Sequence, residues 1–161
     1  MRRWDDGAPP ACCQTLAPAV VACQRETAIS ETDMVVAGNV AGATKTILAA
    51  GERRIDADTT PPAGRGDGVR PHQLLEAAVA GCMAITLRMI ADERGIALQS
   101  ADVTVEIDRS HAEETVFRTT IELKGALSDA ERSLLMKAVR LCPVRKTLSK
   151  RLSFVETREG P

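Results

Sequence analysis

Aromatic side chains are almost absent from this chain: in 161 residues it has no tyrosine, one tryptophan (Trp4) and two phenylalanines (Phe117 and Phe154). That scarcity excludes a base-stacking platform of the kind that holds single-stranded nucleic acid. It also leaves Leu, Ile, Val, Ala and Met to build the core. Charge imbalance is lacking too. With 21 basic and 22 acidic residues the formal net charge is −1, so there is no electrostatic footprint for nucleic acid. Histidine is confined to His72 and His111, and with Cys82 and Cys142 these show no ligand spacing such as C-x-x-C or H-x-x-x-H, which argues against a metal site. No unbroken apolar run is long enough to cross a bilayer. A disulfide framework is missing as well. The five cysteines, Cys12, Cys13, Cys23, Cys82 and Cys142, are odd in number and unevenly spread, which suits a reducing cytoplasm better than secretion.

The length suffices for one domain with a real core and is too short for two ordinary ones. Residues 1–33 show no helical or strand period and hold three of the cysteines beside Pro- and Ala-rich sequence. They read as a disordered leader or as a stretch preceding the true start at Met34, with residues 34–161 forming the domain. Arg2 and Arg3 followed by an apolar stretch ending in Val20-Val21-Ala22-Cys23 loosely resemble a lipoprotein cleavage site, but Asp5, Asp6, Pro9, Pro10 and Pro18 spoil the hydrophobic region that such a signal needs.

Ordered patterning begins at Met34, which opens a first strand candidate. Residues 44–49 and 52–57 are further short strands about Ala50-Gly51. The Pro/Gly-rich stretch from Pro61 to Gly68 is a loop. It contains Arg65-Gly66-Asp67, a chance match to an integrin tripeptide. Pro71 at a first helical position and Gly95 at a C′ position bracket a long helix over residues 71–94, expected to be central and nearly fully buried. Alternation in Val103, Val105 and Ile107, and again from Phe117 to Leu123, predicts two half-buried antiparallel strands joined across Ser110 to Glu114. Ser128-Asp129-Ala130-Glu131 is a capping box that opens a second helix over residues 129–140. Pro143 stops it, a short helix follows at Val144 to Leu148, and residues 152–157 read as a closing strand. The order is α+β and not a βαβ repeat.

Two cysteines sit in contrasting settings. Cys82 lies in the long apolar helix among Ala80, Gly81 and Ala84, where small neighbours let another backbone approach and where a bland buried thiol is the ordinary reading. Cys142 lies at the amino-terminal end of the last helix with Arg145 and Lys146 in the next turn, a setting that favours a thiolate. The plain alternative for Cys142 is a residue that ends one helix before Pro143.

The run Arg70-Pro71-His72-Gln73-Leu74-Leu75-Glu76-Ala77-Ala78-Val79-Ala80-Gly81-Cys82-Met83, with Cys142-Pro143-Val144-Arg145-Lys146-Thr147-Leu148 downstream, resembles the OsmC-like family, which includes the organic hydroperoxide resistance proteins. The likeness covers about residues 34–157. It implies curved antiparallel sheets around long central helices, in an intertwined homodimer whose active sites lie at the subunit interface. It further implies a thiol-dependent peroxidase in which Cys82 attacks a small organic hydroperoxide to give a sulfenic acid, Cys142 closes a disulfide with it, and an external dithiol, lipoyl or thioredoxin-like, resets the pair. No cofactor or metal is implied.

This chain departs from the peroxidase members at three places. His72 stands where they carry glutamate, while Gln73 and Leu74 match. Their thiolate-holding arginine has no counterpart in Gly38 to Gly42, leaving Arg53 or Arg54 as substitutes. Arg145 stands where related sequences often carry histidine. His72, Gln73 and Arg145 are therefore the supporting candidates around Cys82 and Cys142. The competing reading is a non-catalytic dimer of the same fold that binds an apolar metabolite or senses redox state.

Overall fold

The computed structural model describes residues 34–157; the leader and its three cysteines lie outside the described residues. Three short strands come first: β1 (Val35–Asn39), β2 (Thr46–Ala50) and β3 (Arg53–Ala57) form an antiparallel sheet in that order. Ala50 pairs with Arg53 across a two-residue turn at Gly51. Gly51 has φ +57°, open to glycine at little cost. A loop then leads into α1 (Pro71–Glu93), followed by the long hairpin β4 (Leu98–Asp108) and β5 (Val116–Gly125), by α2 (Asp129–Ala138), a 3₁₀ turn over Val139–Leu141, and α3 (Pro143–Leu148). This is the expected α+β arrangement.

The ends of α1 follow from local chemistry. At its start the Gln73 side chain accepts from the Arg70 N–H at 3.1 Å, and Pro71 occupies the first turn, where its missing donor costs nothing. At its end Gly95 turns left-handed at φ +63°. Ile96 N–H then reaches Ala91 O at 2.9 Å and Gly95 N–H reaches Asp92 O at 3.3 Å, the paired bonds of a Schellman stop. α2 begins with the anticipated capping box: the Glu131 N–H donates to Ser128 Oγ at 3.3 Å and the Ser128 N–H donates to Glu131 Oε2 at 2.7 Å.

The core lies between α1, the inner face of β4–β5, and the two following helices. Val79, Met83, Leu87 and Ala91, one stripe of α1, pack with Ile96, Leu98, Val105, Leu135, Val139 and Cys142. Two polar ties fix α1 along β4: Glu76 Oε1 accepts from the Ile107 N–H at 3.0 Å, and Arg88 Nη2 donates to Gln99 O at 2.9 Å. Among the described residues, α1 is the one helix long and apolar enough to cross a membrane by length and composition. Glu76 and Arg88 break its apolar run in sequence, and both are tied to β4.

Three expectations need correction. α1 is not nearly fully buried: Ile85 and Met89 are 62% and 65% exposed, because none of the described residues covers that face of the helix. Residues 152–157 form no strand and pair with no edge, and Phe154 and Val155 stand exposed. α2 ends at Ala138 rather than 140, its last turn tightening into the 3₁₀ segment before Pro143. The sheet β1–β2–β3 is also set apart. None of its residues joins the core cluster, and β1 is exposed along its whole length.

Asp58, just after β3, holds the link between that sheet and α1. It is buried, yet every donor around it is used. Oδ1 accepts from Thr44 Oγ1 at 2.6 Å and from the Thr59 N–H at 2.8 Å, while Oδ2 accepts from the N–H groups of Arg65 and Asp67 at 3.2 and 3.1 Å. The Arg65-Gly66-Asp67 tripeptide is thus a loop wrapped on a carboxylate. Gly64 packs so tightly there that a Cβ would lie 2.7 Å from Asp58 Oδ1.

Candidate functional site

Cys142 is fully buried and caps α3: its backbone is extended (φ −50°, ψ 118°), Pro143 follows at the first helical position, and Sγ accepts from the Arg145 N–H at 3.5 Å. Cys82 is half-buried on α1, on the turn between Val79 and Thr86, whose hydroxyl donates to the Cys82 carbonyl at 2.8 Å. Both thiols are free, and Cys82 packs against the cluster that contains Cys142. The fold therefore brings together two cysteines 60 positions apart in sequence.

Electrostatics modify the expectation for Cys142. Burial pushes its thiol up from the ordinary value, and the hydrogen bond and charge of the neighbouring Cys82 push in the same direction. The Arg145 N–H pulls it down, but burial is the largest effect. A helix terminus does favour a thiolate, but here the desolvation cost outweighs it. Cys82, the more accessible of the two, is the one that solvent and a small molecule can meet.

Each supporting candidate has a definite place. Gln73 closes the first turn of α1. His72, in the same turn, accepts at Nε2 from Arg109 Nη1 at 2.9 Å, since a guanidinium can only donate. About 15 Å of helix rise separates His72 from Cys82, so within this chain it is Arg109's partner and not a cation beside the thiol. Arg53 and Arg54 are exposed on β3, outside the core cluster that holds the thiols. Arg145 lines a cavity of about 450 Å³ with Val79, Met83, Phe117 and Leu148. Sequence reasoning missed this cavity, and it missed Arg109 and Asp58. The signal for Arg109 was its place two residues past Ile107, at the strand end beside which α1 begins. Among the described residues no group of three His, Cys, Asp or Glu side chains could hold a metal ion.

A family profile described as OsmC-like protein matches residues 64–157, the segment that carries both cysteines, α1 and α3. The chain belongs to the OsmC-like family. Among solved structures, the OsmC-like protein of Mycoplasma pneumoniae superposes with a TM-score of 0.62 at 20% identity, over 71% of this chain and 85% of that one. An organic hydroperoxide resistance protein from Legionella pneumophila gives 0.53 at 20% identity, covering 72% and 89%. One from Elizabethkingia anophelis gives 0.54 at 16%, covering 72% and 88%. At these identities the likeness is one of fold. No curated protein matches the sequence. In this OsmC-like chain the fold accounts for the two cysteine motifs: α1 supplies one and the α3 cap the other, and both meet at one apolar core.

Proposed function

We propose that this OsmC-like chain is a thiol-dependent reductase of organic hydroperoxides, acting in the cytoplasm through Cys82 and Cys142. The observation that carries the reading is the pairing of a half-buried thiol on α1 with a fully buried one at the α3 cap. Cys82 thiolate attacks the terminal oxygen of the hydroperoxide. The S–O bond forms as the O–O bond breaks, the sulfur is oxidised by two electrons, and the alkoxide leaves as alcohol after taking a proton. Cys142, as thiolate, then attacks the sulfenic sulfur; the S–S bond forms as the S–O bond breaks, and the hydroxide leaves as water by taking up the proton that Cys142 released on ionising. A dithiol such as a lipoyl or thioredoxin-like group reduces the disulfide and becomes a disulfide itself. The supporting roles of His72, Gln73 and Arg145 in this reading are to hold the first turn of α1 and to line the cavity.

The same reading includes a homodimer. The exposed apolar face of α1 and the sheet β1–β2–β3, which stays outside the core cluster of the described residues, are what a second copy would cover. Light scattering on the purified full chain would settle the stoichiometry, and a monomer at micromolar concentration would overturn this part.

The direct test follows hydroperoxide consumption with excess dithiol for the full chain, Cys82→Ser and Cys142→Ser. We expect turnover for the parent only. Equal, uncatalysed rates in all three would sink the proposal. The raised Cys142 thiol and the cavity at Arg145 favour one other reading, a dimer that binds an apolar ligand with inert cysteines. Peptide mapping after one equivalent of peroxide separates the two, since only the redox reading yields a Cys82–Cys142 disulfide.

A further inference from the structure

The cavity between α1, β5 and α3 has two chemical characters. Its buried or half-buried lining, Val79, Met83, Phe117 and Leu148, is apolar, and its exposed lining includes Thr119 and Arg145. Its volume of about 450 Å³ suits a small organic molecule. Among the described residues the Arg145 guanidinium has no carboxylate partner: the ion pairs there are Lys45–Asp56, Arg88–Asp92, Arg118–Asp108 and Lys124–Asp102. A planar guanidinium next to an apolar wall is matched by a carboxylate, which it can hold through two parallel hydrogen bonds. Arg145 lies one turn, about 4.5 Å of rise, beyond Cys142, and Val79 and Met83 flank Cys82 on α1. A ligand anchored at Arg145 therefore lays its apolar body along the wall that leads to the thiols.

We infer that Arg145 is a specificity-determining residue that selects molecules bearing a carboxylate on an apolar body, so that the preferred substrates are carboxylated organic hydroperoxides. The word substrate rests on the peroxidase reading, whereas the preference for the carboxylate does not.

Two probes of equal body separate the claims: cumene hydroperoxide and its 4-carboxy derivative. The full chain should show a kcat/KM at least about tenfold higher for the carboxylated probe, the scale of one charge-assisted contact. Arg145→Gln and Arg145→Met should bring the ratio close to one, Arg145→Lys should keep part of it, and added salt should narrow it in the parent. A ratio near one in the parent, or one that survives in Arg145→Gln, overturns the inference. If the parent consumes neither probe, the peroxidase reading fails and binding decides. Calorimetry should then show 4-isopropylbenzoate bound at least about tenfold more tightly than 4-isopropylbenzamide by the parent and equally by Arg145→Gln. Equal binding by the parent would overturn the inference there too.

Discussion

The backbone N–H of Arg145 donates to Cys142 Sγ at 3.5 Å, so the thiol that would close a disulfide with Cys82 is also the cap of α3. Oxidation would withdraw that acceptor from the helix. Arg145, one turn further on, and Leu148 and Ser149 at the end of α3 line the cavity. Disulfide chemistry and the cavity wall therefore share one backbone hydrogen bond.

Thiol reactivity should differ sharply between the two cysteines. Cys82 is half-buried and Cys142 is fully buried with its thiol pushed up by burial. Iodoacetamide at neutral pH should alkylate Cys82 at least about tenfold faster than Cys142, since only exposed thiolate reacts. Mass spectrometry of the peptides around each residue gives the two rates. Equal rates would contradict the arrangement described here.

The raised Cys142 thiol also sets a sign for stability against pH. A thiol that ionises less readily when folded binds its proton more tightly in the native state, so stability falls as pH rises. The contribution is complete below the ordinary thiol range, near about 8.5, and is lost as pH climbs from there through the raised native value. Urea unfolding of the reduced full chain between neutral and alkaline pH should show this decline. In Cys142→Ser the slope should flatten, and an unchanged slope would assign the decline to other groups.

Much of this architecture was legible because local signals agreed. Pro71 and Gly95 bracketed α1, Ser128 with Glu131 marked the start of α2, and alternation placed β4 and β5. What failed were statements about cover. The sequence of α1 is apolar enough to be wrapped all round, but which faces are wrapped depends on elements packed from elsewhere, and Ile85 and Met89 are left exposed by the described residues. Residues 152–157 have strand composition but pair with no strand. The cysteine pair was visible as two motifs, but which thiol is accessible follows from burial that no spacing encodes. Asp58 escaped notice because a buried carboxylate is recognisable only from its donors, and these come from Thr44, Thr59, Arg65 and Asp67.

Substitutions on the two faces of α1 should separate folding from assembly. Leu87 is fully buried, so Leu87→Ala should cost about 2–5 kcal/mol in urea unfolding, whatever the oligomeric state. Ile85→Ser and Met89→Ser remove side chains that are 62% and 65% exposed within one chain. If the homodimer is right, the parent's unfolding midpoint should rise with protein concentration, and this double variant should shift light scattering toward monomer and lose that dependence. If it changes neither, that face is not the contact between copies.

The Asp58 knot should fail in two separable ways. Asp58→Asn replaces one acceptor oxygen by a donor amide that faces groups already donating, so the loop from Thr59 to Asp67 should open. Hydrogen exchange at the Arg65 and Asp67 amides should rise while that of the α1 core amides stays slow. Gly64→Ala keeps the carboxylate but drives a Cβ to within 2.7 and 2.8 Å of Asp58 Oδ1 and Thr44 Oγ1, an overpacking expected to cost about 1–3 kcal/mol. The parent carries a pH signature too. The Thr44 hydroxyl and the Asp67, Thr59 and Arg65 amides together hold the Asp58 carboxyl well below the usual carboxylate range. Its stabilisation is therefore present above about pH 3.9 and is lost as pH falls below that. Acid unfolding should be shallower in Asp58→Asn than in the parent. A parent and variant with the same acid profile would show that these four hydrogen bonds do not depend on the charge of Asp58.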